Sequence, residues 1–225
     1  MPPVDDAMHA KNQGRQARCP SGARSGRRWV RPLLAAALAL AAAGVQAGAQ
    51  REEALSDSIR TALSAAVASG APPKPVFVDE LQRLQYQRWF DAMDQRLKRR
   101  KPEDLVRREF LETVWYESKR AGLDPSLVLG LIEVESGFRK YVISSAGARG
   151  YMQVMPFWTR SIGDGEASRL FHMQSNLRFG CVILRHYLEL ERGNLFLALG
   201  RYNGSRGRSE YPNAVFAARK RYQLS

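Results

Sequence analysis

The residue with the clearest chemical potential is Glu135, which stands at the end of an amphipathic segment, residues 125–136. At helical spacing its neighbours three, four and seven positions earlier are Ile132, Leu131 and Val128, so the carboxylate shares their apolar face. Removal from water and the negative end of the helix dipole both disfavour its charged form and raise its pKa. Such a carboxyl group suits general acid catalysis near neutral pH.

Position alone does not establish that role, because a glutamate at a helix end is usually solvated and idle. Glu133, two residues earlier, has Leu129, Gly130 and Ser126 on its side of the helix and is expected nearer the rim. More specific evidence is needed to separate Glu135 from an ordinary surface carboxylate.

Four ordered sequence blocks supply that evidence. They read ESGF from Glu135, SSAGARGYMQVMP from Ser144, NLRFG from Asn176 and RYNG from Arg201. The blocks resemble the lytic transglycosylases of the soluble-transglycosylase (SLT) family, whose pattern runs ES, SxxGAxGLMQxMP, NxxxG and AYNAG. The resemblance covers about residues 105–222. It implies a lysozyme-like helical domain that cleaves the β-1,4 bond between N-acetylmuramic acid and N-acetylglucosamine in peptidoglycan.

The resemblance also implies roles for individual positions. Glu135 matches the single catalytic acid of the family. A serine matches one that orients the substrate and the glutamate, and an MQ pair and a YN pair match blocks that border the sugar cleft. The substrate-binding positions implied in this way are Ser144, Met152, Gln153, Tyr202 and Asn203.

The chain departs from the family pattern at three positions. Tyr151 replaces the usual leucine, and Arg201 and Ser205 stand where the family has small residues. Tyr151 and Arg201 could narrow or charge the groove, so the preference among sugar units stays open. Structural roles also stay open for two site positions, since Ser144 can cap a turn and Tyr202 can pack in the core.

The spacing of acidic residues bears on the mechanism. Most glycosidases use two carboxylates about 5 to 9.5 Å apart, but after Glu135 the next acids are Asp164 and Glu166, outside the motif. A single-acid mechanism fits that absence. Protonated Glu135 would donate to the glycosidic oxygen, the substrate's acetamido group would stabilise C1, and the glutamate would then deprotonate the muramic acid 6-hydroxyl. The product is a 1,6-anhydro sugar, and neither a metal nor another cofactor is needed.

Three other functions are compatible with parts of this pattern. A goose-type muramidase would share the fold and the acid but use water as the nucleophile. A non-catalytic wall-binding module would use the same groove to position an envelope complex. A basic nucleic-acid binder would explain the net charge of +13, although predicted export disfavours it.

The elements that must position these residues are helices. Periodic apolar residues and capping signals predict helical segments at 51–69, 79–100, 103–120, 125–136, 176–191, 194–202 and 212–222. No convincing pair of alternating strands is present. The fold is therefore predicted to be mainly α, a lysozyme-like domain with a groove at 102–225, preceded by a linker and helical extension at 50–101. A chain beginning near Arg100 is expected to fold.

The first 49 residues are predicted to be a signal peptide with a long n-region. Three arginines precede an apolar run at 33–45 that is too short for a membrane span, and small residues at 47–49 suit cleavage. The expected location is the periplasm, with no stable membrane span after cleavage. Cys181 would be the one cysteine left, most simply a small buried residue.

The charge that follows the signal peptide indicates the class of partner. Residues 1–49 hold seven basic and two acidic residues, so the remainder keeps +8. For an exported protein the expected anionic partner is the cell wall, as peptidoglycan glycan strands, or a membrane surface, rather than nucleic acid. A partner within an envelope complex is possible.

Overall fold

The computed structural model of the protein describes residues 50–68 and 75–224. The predicted signal peptide at 1–49 and nearly all of the predicted linker at 69–75 lie outside these ranges. Within them the chain forms eight α-helices and one 3₁₀ helix. These are α1 (Asp57–Ala68), α2 (Glu80–Leu97), α3 (Asp104–Arg120), α4 (Pro125–Ser136), α5 (Phe157–Ile162), the 3₁₀ helix (Ala167–Phe171), α6 (Met173–Leu190), α7 (Leu195–Asn203) and α8 (Glu210–Lys220).

The prediction of a mainly helical fold is confirmed. The sequence pattern missed the short helix α5 and the 3₁₀ helix, which are too brief to show an apolar period. No strand occurs in the described ranges. Two isolated bridges, Ile143 with Arg149 and Arg149 with Val154, hold together the loop between α4 and α5.

Helix α4 is almost wholly buried, since ten of its twelve residues are buried. The Asp124 side chain accepts a hydrogen bond from the Ser126 backbone N–H, and Pro125 occupies the first turn. The helix ends at Gly137, whose φ of 57° is a left-handed conformation that glycine adopts without steric cost. Helix α4 packs against α3 and α8, and Glu135 and Ser136 in its last turn are buried.

Helix α2 packs against α3 and adds to the same core. Its buried residues are Trp89, Phe90, Met93 and Leu97. The Trp89 and Trp115 rings lie 4.9 Å apart, between α2 and α3. The domain boundary before Pro102 stays a prediction, and the buried face of α2 leads us to propose that the folded unit begins upstream of that helix.

Helix α6 runs alongside α1, α3 and α7. A buried ion pair joins it to α3, since the Glu117 carboxylate accepts hydrogen bonds from Arg178 Nε at 3.0 Å and Nη2 at 2.9 Å. Cys181 is fully buried in the same helix, as predicted. Among the described helices, none has the length and apolarity to cross a membrane.

Candidate active site

Glu135 lies in the last turn of α4 and is only 4% exposed. Its Oε1 accepts a hydrogen bond of 2.5 Å from the hydroxyl of Tyr211, at the start of α8. Its Oε2 is buried and has no hydrogen-bond partner among the described residues. The carboxyl group therefore has one oxygen fixed by a donor and one available for a proton.

Burial raises the pKa of Glu135 to about 8, because the charged form loses its hydration. The hydrogen bond from Tyr211 acts in the opposite direction and is the smaller effect. The raised pKa agrees with the direction expected from the apolar helix face. At neutral pH the group is largely protonated, the state that a general acid requires.

Glu133 lies on the same helix in a different environment. Its carboxylate pairs with Arg100 and with Arg221 and accepts a hydrogen bond of 2.7 Å from the Tyr222 hydroxyl. Both carboxylate oxygens of Glu133 therefore have partners. It connects α4 to α8 and the end of α2 and is not placed as a second acid beside Glu135.

Ser144 closes a tight turn in the loop between α4 and α5. Its Oγ accepts a hydrogen bond of 3.1 Å from the Ala148 backbone N–H, and its own N–H donates to the Ala148 carbonyl at 3.0 Å. Ser144 therefore caps a turn, the structural role that the sequence left open. Its substrate-orienting role stays a prediction.

Met152 is fully buried and fixed by the Asn176–Gly180 block on α6. Its backbone N–H donates to Asn176 Oδ1 at 2.8 Å, while Asn176 Nδ2 donates to the Arg149 carbonyl in the loop and to the Leu170 carbonyl in the 3₁₀ helix. At Gly180 a Cβ would lie 2.4 Å from Met152 Sδ, so only glycine admits this close approach. Asn176 and Gly180 of the NxxxG block thus hold the loop in close contact with α6.

Gln153 is also fully buried, with a positive φ of 47°. Its Nε2 donates to the Val142 carbonyl at 3.1 Å and the Gly150 carbonyl at 3.0 Å, which fixes the orientation of the amide. Its Oε1 is buried with no partner in the described ranges. Gln153 therefore braces the loop, and its substrate-binding role stays a prediction.

Tyr202 and Asn203 come from the end of α7. The Tyr202 hydroxyl donates to the Met152 carbonyl at 2.8 Å, so it fastens α7 to the loop and does not bond to Glu135. Burial is the main cause that raises the pKa of Tyr202, and the Glu135 carboxyl group adds to it, so the two side chains interact electrostatically. Asn203 Nδ2 donates to Ser205 Oγ at 3.0 Å, and its Oδ1 has no partner in the described chain.

The structure brings part of the predicted site together. Glu135, Met152 and Tyr202 belong to one connected buried cluster through hydrogen bonds and electrostatic contact. Ser144 and Asn203 make their hydrogen bonds within their own turns. The roles of these residues with substrate remain predictions.

Tyr151 and Arg201, the two departures from the family pattern that could alter the groove, both interact with other residues of the protein. Tyr151 is 2% exposed, and its hydroxyl accepts a 2.7 Å hydrogen bond from Lys101 Nζ. Arg201 pairs with Glu191 and with Glu53, at 2.9 Å for the second pair. The Tyr151 side chain is thus buried in the protein, and the charge of Arg201 is paired with two carboxylates.

Sequence reasoning missed two residues near this cluster. Tyr211 bonds to Glu135 from 76 positions away, and the predicted start of its helix at residue 212 left it outside. Gln50, 4% exposed, accepts a 3.3 Å hydrogen bond from the Met155 N–H and interacts with Tyr202. No local pattern marks either contact, since both depend on distant segments.

The family model for the transglycosylase SLT domain matches residues 112–224 of the chain. Among curated relatives, "Membrane-bound lytic murein transglycosylase C" of Actinobacillus pleuropneumoniae serotype 5b is 39% identical over 85 residues, which is 34% of this chain and 23% of that protein. "Transglycosylase" of Enterobacteria phage PRD1 is 30% identical over 103 residues, 46% of this chain and 37% of that protein.

The solved structures include an inactive mutant of the lytic transglycosylase Slt from Pseudomonas aeruginosa. It is 23% identical, with a TM-score of 0.40, and the match covers 63% of this chain and 27% of that chain. The chain thus spans less than two fifths of the length of the two curated relatives described above.

Proposed function

Because the chain belongs to the transglycosylase SLT domain family, we propose that it is a peptidoglycan lytic transglycosylase. It would cleave the β-1,4 bond between N-acetylmuramic acid and N-acetylglucosamine without water and leave 1,6-anhydro ends. The names of the curated relatives support this activity, although the chain corresponds to only part of each.

The observation that carries the proposal is the state of Glu135. It is buried without a cation, its pKa is raised to about 8, and its Oε2 is free while Tyr211 occupies Oε1. Oε2 is therefore the atom that carries the proton and donates it to the glycosidic oxygen. The substrate's acetamido group stabilises C1 as the bond breaks.

The second half of the reaction uses the same carboxylate as a base. After donating its proton, Glu135 is a buried anion with a high proton affinity, so it accepts a proton from the muramic acid 6-hydroxyl. That oxygen closes on C1. Glu133 does not serve as a base for water in this proposal, because its two oxygens are already engaged by Arg100, Arg221 and Tyr222.

The substrate-binding residues in this proposal are those that the motifs imply. Buried, unpartnered acceptors remain on Gln153 and Asn203, and these would bind sugar hydroxyl or amide groups. Ser144, Met152 and Tyr202 shape the loop that borders the bound chain. In the same proposal the protein acts in the periplasm after its signal peptide is cleaved. This location would bring it to the peptidoglycan glycan strands.

The test is release of soluble muropeptides from purified sacculi. The wild-type protein should release them, and Glu135→Gln should bind the same sacculi without releasing them. A wall-binding module would show binding without release for both proteins. That outcome would overturn the assignment of an enzyme activity.

A further inference from the structure

A cluster of aromatic rings lies between α2 and α3, and none of its members belongs to the candidate active site. The Tyr86 and Trp115 rings lie 5.2 Å apart, and Trp115 lies 4.9 Å from Trp89. Phe77, just before α2, lies 5.2 Å from Tyr86. Phe77, Tyr86 and Trp115 are only partly buried, so they offer ring surface to a ligand.

Two neighbouring cavities, of about 390 and 590 Å³, border this cluster. Each volume lies within the range of about 300 to 1,000 Å³ that is typical of ligand sites. Phe77 and Tyr116 line the smaller cavity, whereas Trp89 and Tyr222 line the larger one. The residues that line both cavities are Gln85, Trp115 and Lys119. The two cavities therefore meet at these three side chains, and we call them together the α2–α3 trough.

The α2–α3 trough offers polar groups as well as rings. Trp89 is 5% exposed, and its Nε1 is buried with no hydrogen-bond acceptor among the described residues. A buried donor of this kind normally meets an acceptor. Gln85 is exposed, and its amide can both donate and accept hydrogen bonds. A ligand in the trough therefore finds directional partners beside the apolar rings.

The trough contains one cation whose charge the protein does not compensate. Lys119 Nζ lies 4.7 Å from the centre of the Trp115 ring, and Lys119 forms no ion pair within residues 50–68 and 75–224. The other charged residues of the lining are compensated, since Arg120 belongs to an ion pair within α3 and Asp124 is paired with an arginine of α8. A single cation disfavours nucleic acid and an anionic lipid surface, because both bind through several cations.

Rings, an amide and one cation together suit a glycan strand of N-acetylated sugars. Aromatic rings pack against the apolar faces of sugar rings. The Gln85 amide can bind hydroxyl and acetamido groups, and Lys119 can bind an occasional carboxylate. Muramic acid supplies such a carboxylate through its lactyl group where no peptide is attached.

The α2–α3 trough and Glu135 lie at opposite ends of α4. Pro125 and Ser126, in the first turn, line the larger cavity, whereas Glu135 is in the last turn. Nine positions separate Ser126 from Glu135, which is about 14 Å along the helix at 1.5 Å per residue. A long strand has the reach to contact both places, and two linked contacts hold a polymer more tightly than one.

We propose that the α2–α3 trough is a second glycan-binding site, separate from the groove at Glu135. In it Trp115 contacts sugar rings, while Gln85 and Lys119 bind acetamido and lactyl groups. The choice of glycan as the ligand rests on the proposed function. The trough holds a part of the strand that is not being cleaved, so it lowers KM for long strands without changing the chemical step.

The test uses the full chain and glycan strands that an amidase has freed of peptides, in two lengths: long strands, and the shortest fragments that the wild type still cleaves. Gln85→Ala combined with Lys119→Ala changes two exposed positions. The double variant should raise KM for long strands roughly tenfold, the scale of two lost hydrogen bonds, and leave kcat unchanged. KM for the short fragments should change less than about twofold, since they do not reach the trough.

A matched control comes from α2 and its C-terminal cap. Gln95→Ala combined with Lys98→Ala removes the same two residue types from exposed positions outside the trough and should leave both KM values unchanged. An equal rise in KM for both lengths would place Gln85 and Lys119 in the groove at Glu135 and overturn the proposal. An unchanged KM for long strands would overturn it as well.

Binding is also measured without cleavage, so that the proposed function is judged separately. In a Glu135→Gln background, titration with long strands followed by tryptophan fluorescence should give a Kd about tenfold higher for the Gln85→Ala, Lys119→Ala variant. Binding that this double substitution does not weaken would refute the second site while cleavage by the wild type still supports the proposed function. Binding through the trough by a wild-type protein that releases no muropeptides would refute the proposed function and support the second site.

Discussion

Two glutamates of this protein are almost equally buried and differ in what surrounds them. Glu117 is 1% exposed and receives hydrogen bonds from Arg178 and, at 3.2 Å, from Arg120. Glu135 is 4% exposed and meets one neutral hydroxyl, that of Tyr211. The first carboxylate is compensated by cations, and the second is not.

The difference teaches how one residue type serves structure in one place and chemistry in another. An anion buried beside cations holds two helices together, because its charge is neutralised where it lies. An acid buried without a cation keeps its proton to higher pH and can transfer it. Burial alone therefore does not distinguish a candidate catalytic carboxyl group, whereas burial without a cation beside it is the feature that supports the proposal for Glu135.

The largest expected effect is on catalysis. Glu135→Gln should lower kcat by about 10² to 10⁴, because the amide keeps the shape and cannot donate the proton. Glu117→Gln should retain substantial activity when it is assayed well below its own melting temperature. Rates of muropeptide release from sacculi measure both. Equal loss of activity in the two folded variants would contradict the assignment of catalysis to Glu135 and of a structural role to Glu117.

The next effect is on stability. Glu117→Gln should destabilise the protein by about 3 to 5 kcal/mol, because it removes the anion of a buried ion pair and leaves the Arg178 charge without it. Thermal unfolding followed by circular dichroism should show a melting temperature lower by roughly 10 °C. Arg185→Gln, which loses an exposed pair, is the matched control and should change it by about 1 °C or less. A melting temperature like that of the wild type would show that the buried pair contributes little.

An effect of similar size and opposite sign is expected for Glu135→Gln. The pKa of Glu135 is about 8 in the folded protein and about 4.3 in an unfolded chain. A raised pKa means that stability is fully present below the unfolded value and is lost as pH rises through about 8. The glutamine variant has no such loss, which amounts to about 5 kcal/mol. Its melting temperature should therefore exceed that of the wild type by roughly 10 °C at pH 8 and by little at pH 4. A difference that is constant with pH would contradict the raised pKa.

The smallest effect concerns Tyr211. Its hydrogen bond favours the charged form of Glu135, so Tyr211→Phe should raise the pKa of the acid. The alkaline limb of the pH–rate profile should move to higher pH by about half to one unit. Tyr202→Phe loses a hydrogen bond to a backbone carbonyl instead and should leave that limb in place. A limb that moves only in Tyr202→Phe would exchange the roles of the two tyrosines.

Local sequence features predicted a large part of this arrangement. The helix ending at Gly137 and its buried Glu135 follow from capping residues and an apolar period, which act within a few positions. Tyr211, Gln50 and the Lys101–Tyr151 contact depend on segments 50 or more residues apart, and no periodic signal encodes such pairings. The same limit applies to Tyr202. The sequence predicted its place at the end of a helix, but not its hydrogen-bond partner, the Met152 carbonyl.

The most direct test of the account is the chemical nature of the ends that the protein produces. Sacculi digested to completion and analysed by mass spectrometry should give muropeptides that end in anhydro-muramic acid, one water lighter than hydrolysis products and not reducible by borohydride. That result follows from a single acid without a second carboxylate to activate water, and from the advantage of a tethered hydroxyl, which can exceed about 10⁵ M. Predominantly reducing ends would show that water reaches C1 and would contradict the single-carboxylate mechanism.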